Sequence, residues 1–169
     1  MLIIDLRRLE RAPVEVRGEI SREDPLWQNA AVDLATDVAV QAVAEGSRIR
    51  GVVVRGALMG RVRSLCRRCL APLEPEVVDE FDLLFDPKVS ESEGDVSLYA
   101  LAPGADELDL SRPLGERFLL AVPAYPLCRE DCRGLCARCG ANLNAGDCGC
   151  KVEEADPRWG PLHALRGGK

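Results

Sequence analysis

The chain has 169 residues, is 47% hydrophobic but only 4% aromatic, and carries a formal net charge of −6. That length suits one domain with at most a small appendage, and the core must be built mainly from Val, Leu, Ala and Ile. The negative balance argues against an indiscriminate nucleic-acid binder, and the chain lacks the apolar run of about eighteen residues that a membrane span needs.

The N-terminal stretch MLIIDLRRLERAP is too short and too charged for a secretory signal. Its Leu2–Leu6 portion reads as a short strand followed by a charged turn. Val14 to Ile20 alternates in part and reads as a second strand or an edge, and the mixed stretch opening at Pro25-Leu26-Trp27 carries no clear signal. Asp37 to Glu45 places Val38, Val40 and Ala42 on one side of a strand. Arg48 to Arg55 is rich in Val and Ile, an interruption follows at Gly56–Gly60, and a further strand runs from Arg61 to Cys66. Val77 to Phe85 returns from the Cys66–Cys69 turn, making a hairpin with cysteines at its tip. Asp86 to Pro103 is acidic, contains Pro, Ser and Gly, and reads as a loop. A helix over about 110–122 follows, with Asp109 or Ser111 to cap it, Pro113 in its first turn, and Leu110, Leu114, Phe118 and Ala121 on its buried stripe. Pro123 and Pro126 end it. From Lys151 to Lys169 the sequence reads as a loose tail with one turn around Trp159 to Leu165. No internal repeat stands out.

The eight cysteines carry the chemistry. Two form Cys66-x2-Cys69; six fall in the run Cys128-x3-Cys132-x3-Cys136-x2-Cys139-x8-Cys148-x-Cys150. A chain without an export signal belongs in a reducing compartment, here the cytoplasm, where clustered thiols are metal ligands rather than disulfides. Eight soft donors make two four-thiolate sites, for which zinc is the natural ion. Short spacing groups Cys136, Cys139, Cys148 and Cys150 as one site and Cys66, Cys69, Cys128 and Cys132 as the other. Exchanging the pair Cys128/Cys132 for Cys148/Cys150 is the competing arrangement, and one zinc with four spare thiols a third. Sequence does not separate zinc from iron in such a site.

Charge is unevenly placed. Between Gly46 and Leu73 there are seven arginines and no acid, whereas Glu74 to Asp95 holds nine acids and one lysine. Arg48, Arg50, Arg61, Arg63, Arg67 and Arg68 are the candidate contacts to RNA phosphate or to a protein partner. Arg67, Arg68, Arg129, Arg133, Arg138 and Lys151 also lie beside cysteines, where they can offset thiolate charge. An enzyme is not expected. Four thiolates leave no open position on an ion, the single histidine, His163, stands in the tail, and strand alternation divides Asp79, Glu80 and Asp82 between two faces.

Cys66-Arg-Arg-Cys69-Leu70 with the acidic strand after it resembles the C-x-R-C-L signature of the YceD family. The stretch from Asp109-Leu110 to Leu120-Ala121-Val122-Pro123 is similar to that family's helix ending in Leu-x-x-Pro. The run from Cys132 through Cys136, Cys139-Gly140-Ala141-Asn142-Leu143-Asn144 to Cys148-x-Cys150 resembles the tail of its cysteine-rich members. The resemblance spans roughly residues 37 to 150. It implies a ribosome-biogenesis factor supporting accumulation or processing of large-subunit (23S) ribosomal RNA, with that RNA, a pre-ribosomal particle or a ribosomal protein as partner. Some family members lack the C-terminal cysteines, which makes zinc a staple rather than a reagent. A metal-dependent nuclease and an iron-thiolate electron carrier are the competing functions.

The fold expected is α+β: a small antiparallel β-sheet or open barrel with one main helix and a C-terminal cysteine-rich zinc module. The divisions are a β-rich core over 1–126, the zinc module packed on it over 127–151, and a tail over 152–169.

Overall fold

The computed structural model describes residues 2–28, 30–46, 51–89 and 97–150. The start of the expected Arg48 strand, the middle of the acidic loop and the whole tail with His163 lie outside the described residues.

A mostly antiparallel sheet is the frame. The described strands are β1 (Ile3–Asp5), β2 (Val14–Ile20), β3 (Asp33–Leu34), β4 (Val38–Gly46), β5 (Val52–Leu65), β6 (Pro72–Leu73), β7 (Glu76–Asp86), β8 (Leu98–Ala100) and β9 (Glu107–Asp109), with helices α1 (Leu6–Leu9) and α2 (Ser111–Ala121). The main sheet runs β2-β4-β5-β7-β8, with β3 and β6 paired to the far end of β5; β1 and β9 form a separate ribbon. The sheet is open, not a closed barrel, and its last pair, β7 with β8, is parallel. With one main helix packed on it, this is an α+β fold.

Alternation decides which face is buried. On the inner face stand Val38, Val40, Ala42 and Ala44 of β4, Val52, Val54, Leu58 and Val62 of β5, and Val77, Phe81, Leu83 and Phe85 of β7, all buried. Helix α2 closes that face with Leu110, Leu114 and Phe118. Leu110 itself takes the cap position, and the Asp109 carboxylate accepts from the Ser111 N–H at 2.9 Å. Trp27 meets Phe118 edge-on at 6.0 Å and donates its indole N–H to the Ser21 carbonyl. A half-buried ion pair, Arg117 to Asp79 at 2.7 Å, fixes the helix to β7. Asp79 thus faces inward while Glu80 and Asp82 face out, and no three-carboxylate cluster forms.

The sequence reading is corrected at three places. The expected break at Gly56–Gly60 does not exist; β5 is one strand of 14 residues. Its glycines serve close approach rather than a turn. A Cβ at Gly56 would lie 2.2 Å from the Gln41 carbonyl oxygen, and one at Gly60 would lie 3.0 Å from the Phe118 ring. The expected acidic loop contains β8, where Tyr99 stacks on Phe85 at 5.4 Å and its hydroxyl bonds Glu116. That pairing is made by tertiary neighbours and leaves no periodic signal in three residues. The charged turn after β1 is a single helical turn, capped by the Asp5 side chain accepting from the Arg7 N–H.

The clash at Gly56 is with backbone, so β4 would have to move to admit a methyl group. Gly56→Ala is expected to destabilise the fold by about 1–3 kcal/mol, read as a lower urea midpoint with an unchanged slope.

Candidate metal centres

The first sulfur group is assembled from two distant pieces of chain. Strand β5 delivers Cys66 at its end. The Cys66 N–H then bonds the Ala71 carbonyl at 2.8 Å, and the Leu70 N–H bonds the Cys66 carbonyl at 2.9 Å. Leu70 closes the turn with φ 58°, the one non-glycine positive φ among the described residues. A leucine there carries a strain of about 1–2 kcal/mol. The second piece follows α2. Pro123 and Pro126 stop the helix, and the Pro126 carbonyl accepts from the Arg67 N–H at 2.9 Å. That bond lays Cys128 and Cys132 against the β5 turn.

The sulfurs meet in pairs, Cys66 to Cys132 at 3.8 Å and Cys69 to Cys128 at 3.6 Å. All four lie within 4.8 Å of one another. A tetrahedron with metal–sulfur bonds of about 2.3 Å has edges of about 3.8 Å, close to both pair distances, so the set could hold a four-thiolate metal ion. Arg68 binds the two pieces together. Its guanidinium donates to the carbonyls of Glu130 and Cys132, and its own carbonyl accepts from the Leu135 N–H at 3.1 Å. Gly134 makes this approach possible: at φ 77°, an added Cβ would lie 3.0 Å from the Arg68 oxygen.

The second group repeats the first turn seventy residues on. Leu65-Cys66-Arg67-Arg68-Cys69-Leu70-Ala71-Pro72-Leu73 corresponds to Leu135-Cys136-Ala137-Arg138-Cys139-Gly140-Ala141-Asn142-Leu143. The Cys136 N–H bonds the Ala141 carbonyl at 2.8 Å and the Gly140 N–H bonds the Cys136 carbonyl at 2.9 Å, copying the first turn bond for bond. The Leu135–Asn142 bridge copies the pairing of Leu65 with Pro72. The sequence reading missed this internal repeat, although the pattern L-C-x-R-C-x-A-x-L would have revealed it. Cys148 and Cys150 bring the other two sulfurs, and all four again lie within 4.8 Å. The sulfurs therefore gather in the grouping that short spacing favours, not in the exchanged one.

Each group holds one or more of its thiols down and pushes others up. The Cys66 thiol is held down to about 6, chiefly by the Cys69 backbone N–H. Cys136 is held down to about 6 by the N–H groups of Cys139 and Arg138. Cys132 is held down too, its burial outweighed by the Asn144 amide and the Gly134 N–H, but Cys128 and Cys150 go the other way. Cys128 is pushed up to about 12 chiefly by its bond to Cys132 and also by its bond to Cys69, and Cys150 is pushed up to about 12 by its bonds to Cys139 and Cys148. The first sulfur of each turn is thus ready as a thiolate, whereas four thiolates side by side require a cation among them. The groups differ in shelter. In the first group Cys66, Cys69 and Cys132 are buried and Cys128 is exposed; in the second, Cys139 and Cys150 are exposed and Cys136 and Cys148 only half-buried.

Of the six arginines singled out, Arg48 and Arg50 lie outside the described residues. Arg61 and Arg63 do share the outer face of β5, but acids stand beside them: Glu76 at 3.6 Å from Arg61, and Asp33 at 3.1 Å and Glu74 at 3.6 Å from Arg63. Arg55 is likewise paired with Asp82 at 2.8 Å. Arg68 is committed to carbonyls of the first group. Arg67 alone of the four has, among the described residues, neither a carboxylate nor a carbonyl partner for its side chain; its guanidinium lies over the Tyr125 ring, 5.0 Å from the centroid. Sequence reasoning missed Tyr125, because one tyrosine between prolines carries no periodic signal.

Residues 54–166 match the model of the family described as large ribosomal RNA subunit accumulation protein YceD. The chain belongs to the YceD family. It is similar along most of its length to uncharacterized proteins of Mycobacterium bovis and Mycobacterium tuberculosis, with 34% identity over 166 residues, 98% of this chain and 75% of theirs. It is also similar to the large ribosomal RNA subunit accumulation protein YCED homolog 1, chloroplastic, of Arabidopsis thaliana, with 39% identity over 64 residues, 38% of this chain and 20% of that one. No solved structure matches the chain. Among the described residues of this YceD member, no helix is long and apolar enough to cross a membrane.

The unequal shelter of the groups gives an order of metal loss. A chelator is expected to strip the second group first, with loss of structure after about residue 133, and the mostly buried first group later, with loss of the sheet's cooperative melting. Cys150→Ser should halve the bound metal and leave the main thermal transition in place. Cys66→Ser should halve it and lower that transition by several degrees. Metal analysis alongside circular dichroism reads both.

Proposed function

We propose that this protein is a non-enzymatic ribosome-biogenesis factor that supports accumulation or processing of large-subunit (23S) ribosomal RNA, with two structural zinc ions. The observation that carries the reading is a pair of closed four-sulfur sets in a chain of this family. Each set offers an ion a full tetrahedron of thiolates. A catalytic zinc keeps one position for water or substrate, and neither group leaves one. The ions then act on shape, holding the β5 turn, the segment after α2 and the C-terminal turn as one surface.

The partner is large-subunit ribosomal RNA or a pre-ribosomal particle, reached directly or through a ribosomal protein, in the cytoplasm. On the outer face of β5 the carboxylates beside Arg61 and Arg63 screen those charges, so the face is a mixed surface rather than a bare basic stripe. Arg67 is the best-placed phosphate contact. Direct phosphate contacts make binding fall steeply with salt.

Two measurements test this reading. Cells depleted of the protein should contain less large-subunit than small-subunit ribosomal RNA, and an unchanged ratio on a quantified gel refutes the role. The purified protein should be colourless and carry two zinc ions per chain, one for each sulfur group. A brown protein whose absorbance bleaches on reduction would instead make it an iron-thiolate carrier.

A further inference from the structure

The first sulfur group is flanked by a surface that folding alone does not explain. Tyr125 is 73% exposed and is the one aromatic among the exposed large hydrophobics of the described residues. Leu70 and Leu65 are 57% and 53% exposed. Leu70 is the more telling. It holds a left-handed backbone, a place taken in the second turn by Gly140, where φ is 72° and an added side chain would meet nothing within 4 Å. Glycine would relieve the strain at Leu70, and the leucine side chain recovers little burial in return.

These residues adjoin one cleft. Leu65, Arg67, Leu70, Pro123 and Pro126 line a depression of about 600 Å³, together with Ser64, whose buried Oγ has no hydrogen-bond partner. Tyr125 stands at its margin, set between Ala124 and Pro126, which line it, and the Arg67 N–H bonds the Pro126 carbonyl beside it. Arg67 covers part of the ring from one side. The rest of the ring faces solvent.

We infer that this surface is a stacking site for an unpaired nucleotide of single-stranded RNA, with Tyr125 as the platform for the base, Leu70 against the base, and Arg67 as the contact to an adjoining phosphate. The inference deepens the ribosomal-RNA reading above and rests on it. A nucleobase is flat and apolar on its faces and is carried on an anionic chain, which suits an exposed ring, an exposed leucine and a cation without a carboxylate partner. A protein segment would also fit the leucines. The guanidinium already stacked on the phenol ring favours a further planar group over an aliphatic one.

The test is a fluorescence-anisotropy titration of the full, metal-replete chain with a single-stranded RNA about ten nucleotides long, and with the same sequence as a duplex. The single strand should bind more tightly than the duplex. Tyr125→Leu should weaken it about tenfold, Tyr125→Phe should leave it nearly unchanged, and Leu70→Gly should weaken it by a smaller factor. Leu70→Gly should also melt no lower than the parent, which separates lost contact from lost fold. Photocrosslinks from thiouridine should fall on the peptide that contains Tyr125. Equal binding by Tyr125→Leu, or equal binding of strand and duplex, overturns the inference. So does restoration of ribosomal RNA in depleted cells by Tyr125→Leu but not by Tyr125→Asp. That pattern means an apolar protein segment docks there, and it leaves the biogenesis reading intact. Normal ribosomal RNA after depletion refutes the biogenesis reading instead, and the titration still decides the stacking site.

Discussion

Everything at the functional end of the molecule depends on four sulfurs meeting between the end of β5 and the chain that leaves α2. Neither piece could hold this shape by itself. The β5 turn places a leucine in a left-handed backbone, and the segment after the helix has two prolines and almost no regular structure. The backbone bond from Arg67 to Pro126 and the guanidinium bonds of Arg68 align the pieces, but exposed hydrogen bonds contribute only about 1 kcal/mol each. An ion held there would supply what they do not, converting four thiols that crowd one another into four ligands.

The sheet serves this junction in a simple way. Its inner face and α2 form an ordinary apolar core, with Phe118 wedged over Gly60 and tied by Arg117 to Asp79. That core fixes where β5 ends and where α2 ends, and those two points are where the cysteine turns begin. The outer face carries arginines interleaved with carboxylates from β3, β7 and the strand connection before β7. Its long-range field is therefore weaker than a count of arginines over 46–73 implies.

Much of this was legible in the sequence. Alternating valines mark β4 and most of β5, the Leu110-Leu114-Phe118 stripe marks α2, and short cysteine spacings pair the sulfurs as the structure does. Where the reading failed, the missing information was tertiary. Gly56 and Gly60 resemble a turn because glycine breaks strands locally, yet here each makes room for a neighbour that only the folded chain brings close. Strand β8 is too short to show a period and exists because Phe85 and Glu116 receive Tyr99. The acids that meet Arg61 and Arg63 lie on other strands, so a run of arginines looked barer than it is. The twin turns are different: their likeness is written in the sequence, in the leucines, arginine and alanine that surround the cysteines of residues 65–73 and 135–143.

The separation of the first group's halves also bears on how the chain comes into being. Cys69 and Cys128 stand 59 residues apart, and β1 finds its partner only in β9. During synthesis the early pair of sulfurs emerges long before the late pair, so an ion captured then is held by half a coordination shell. The N-terminal strand waits likewise for its mate. Contacts of such span form slowly, so the β1–β9 ribbon and the first sulfur group close only after the main sheet's strands have been made.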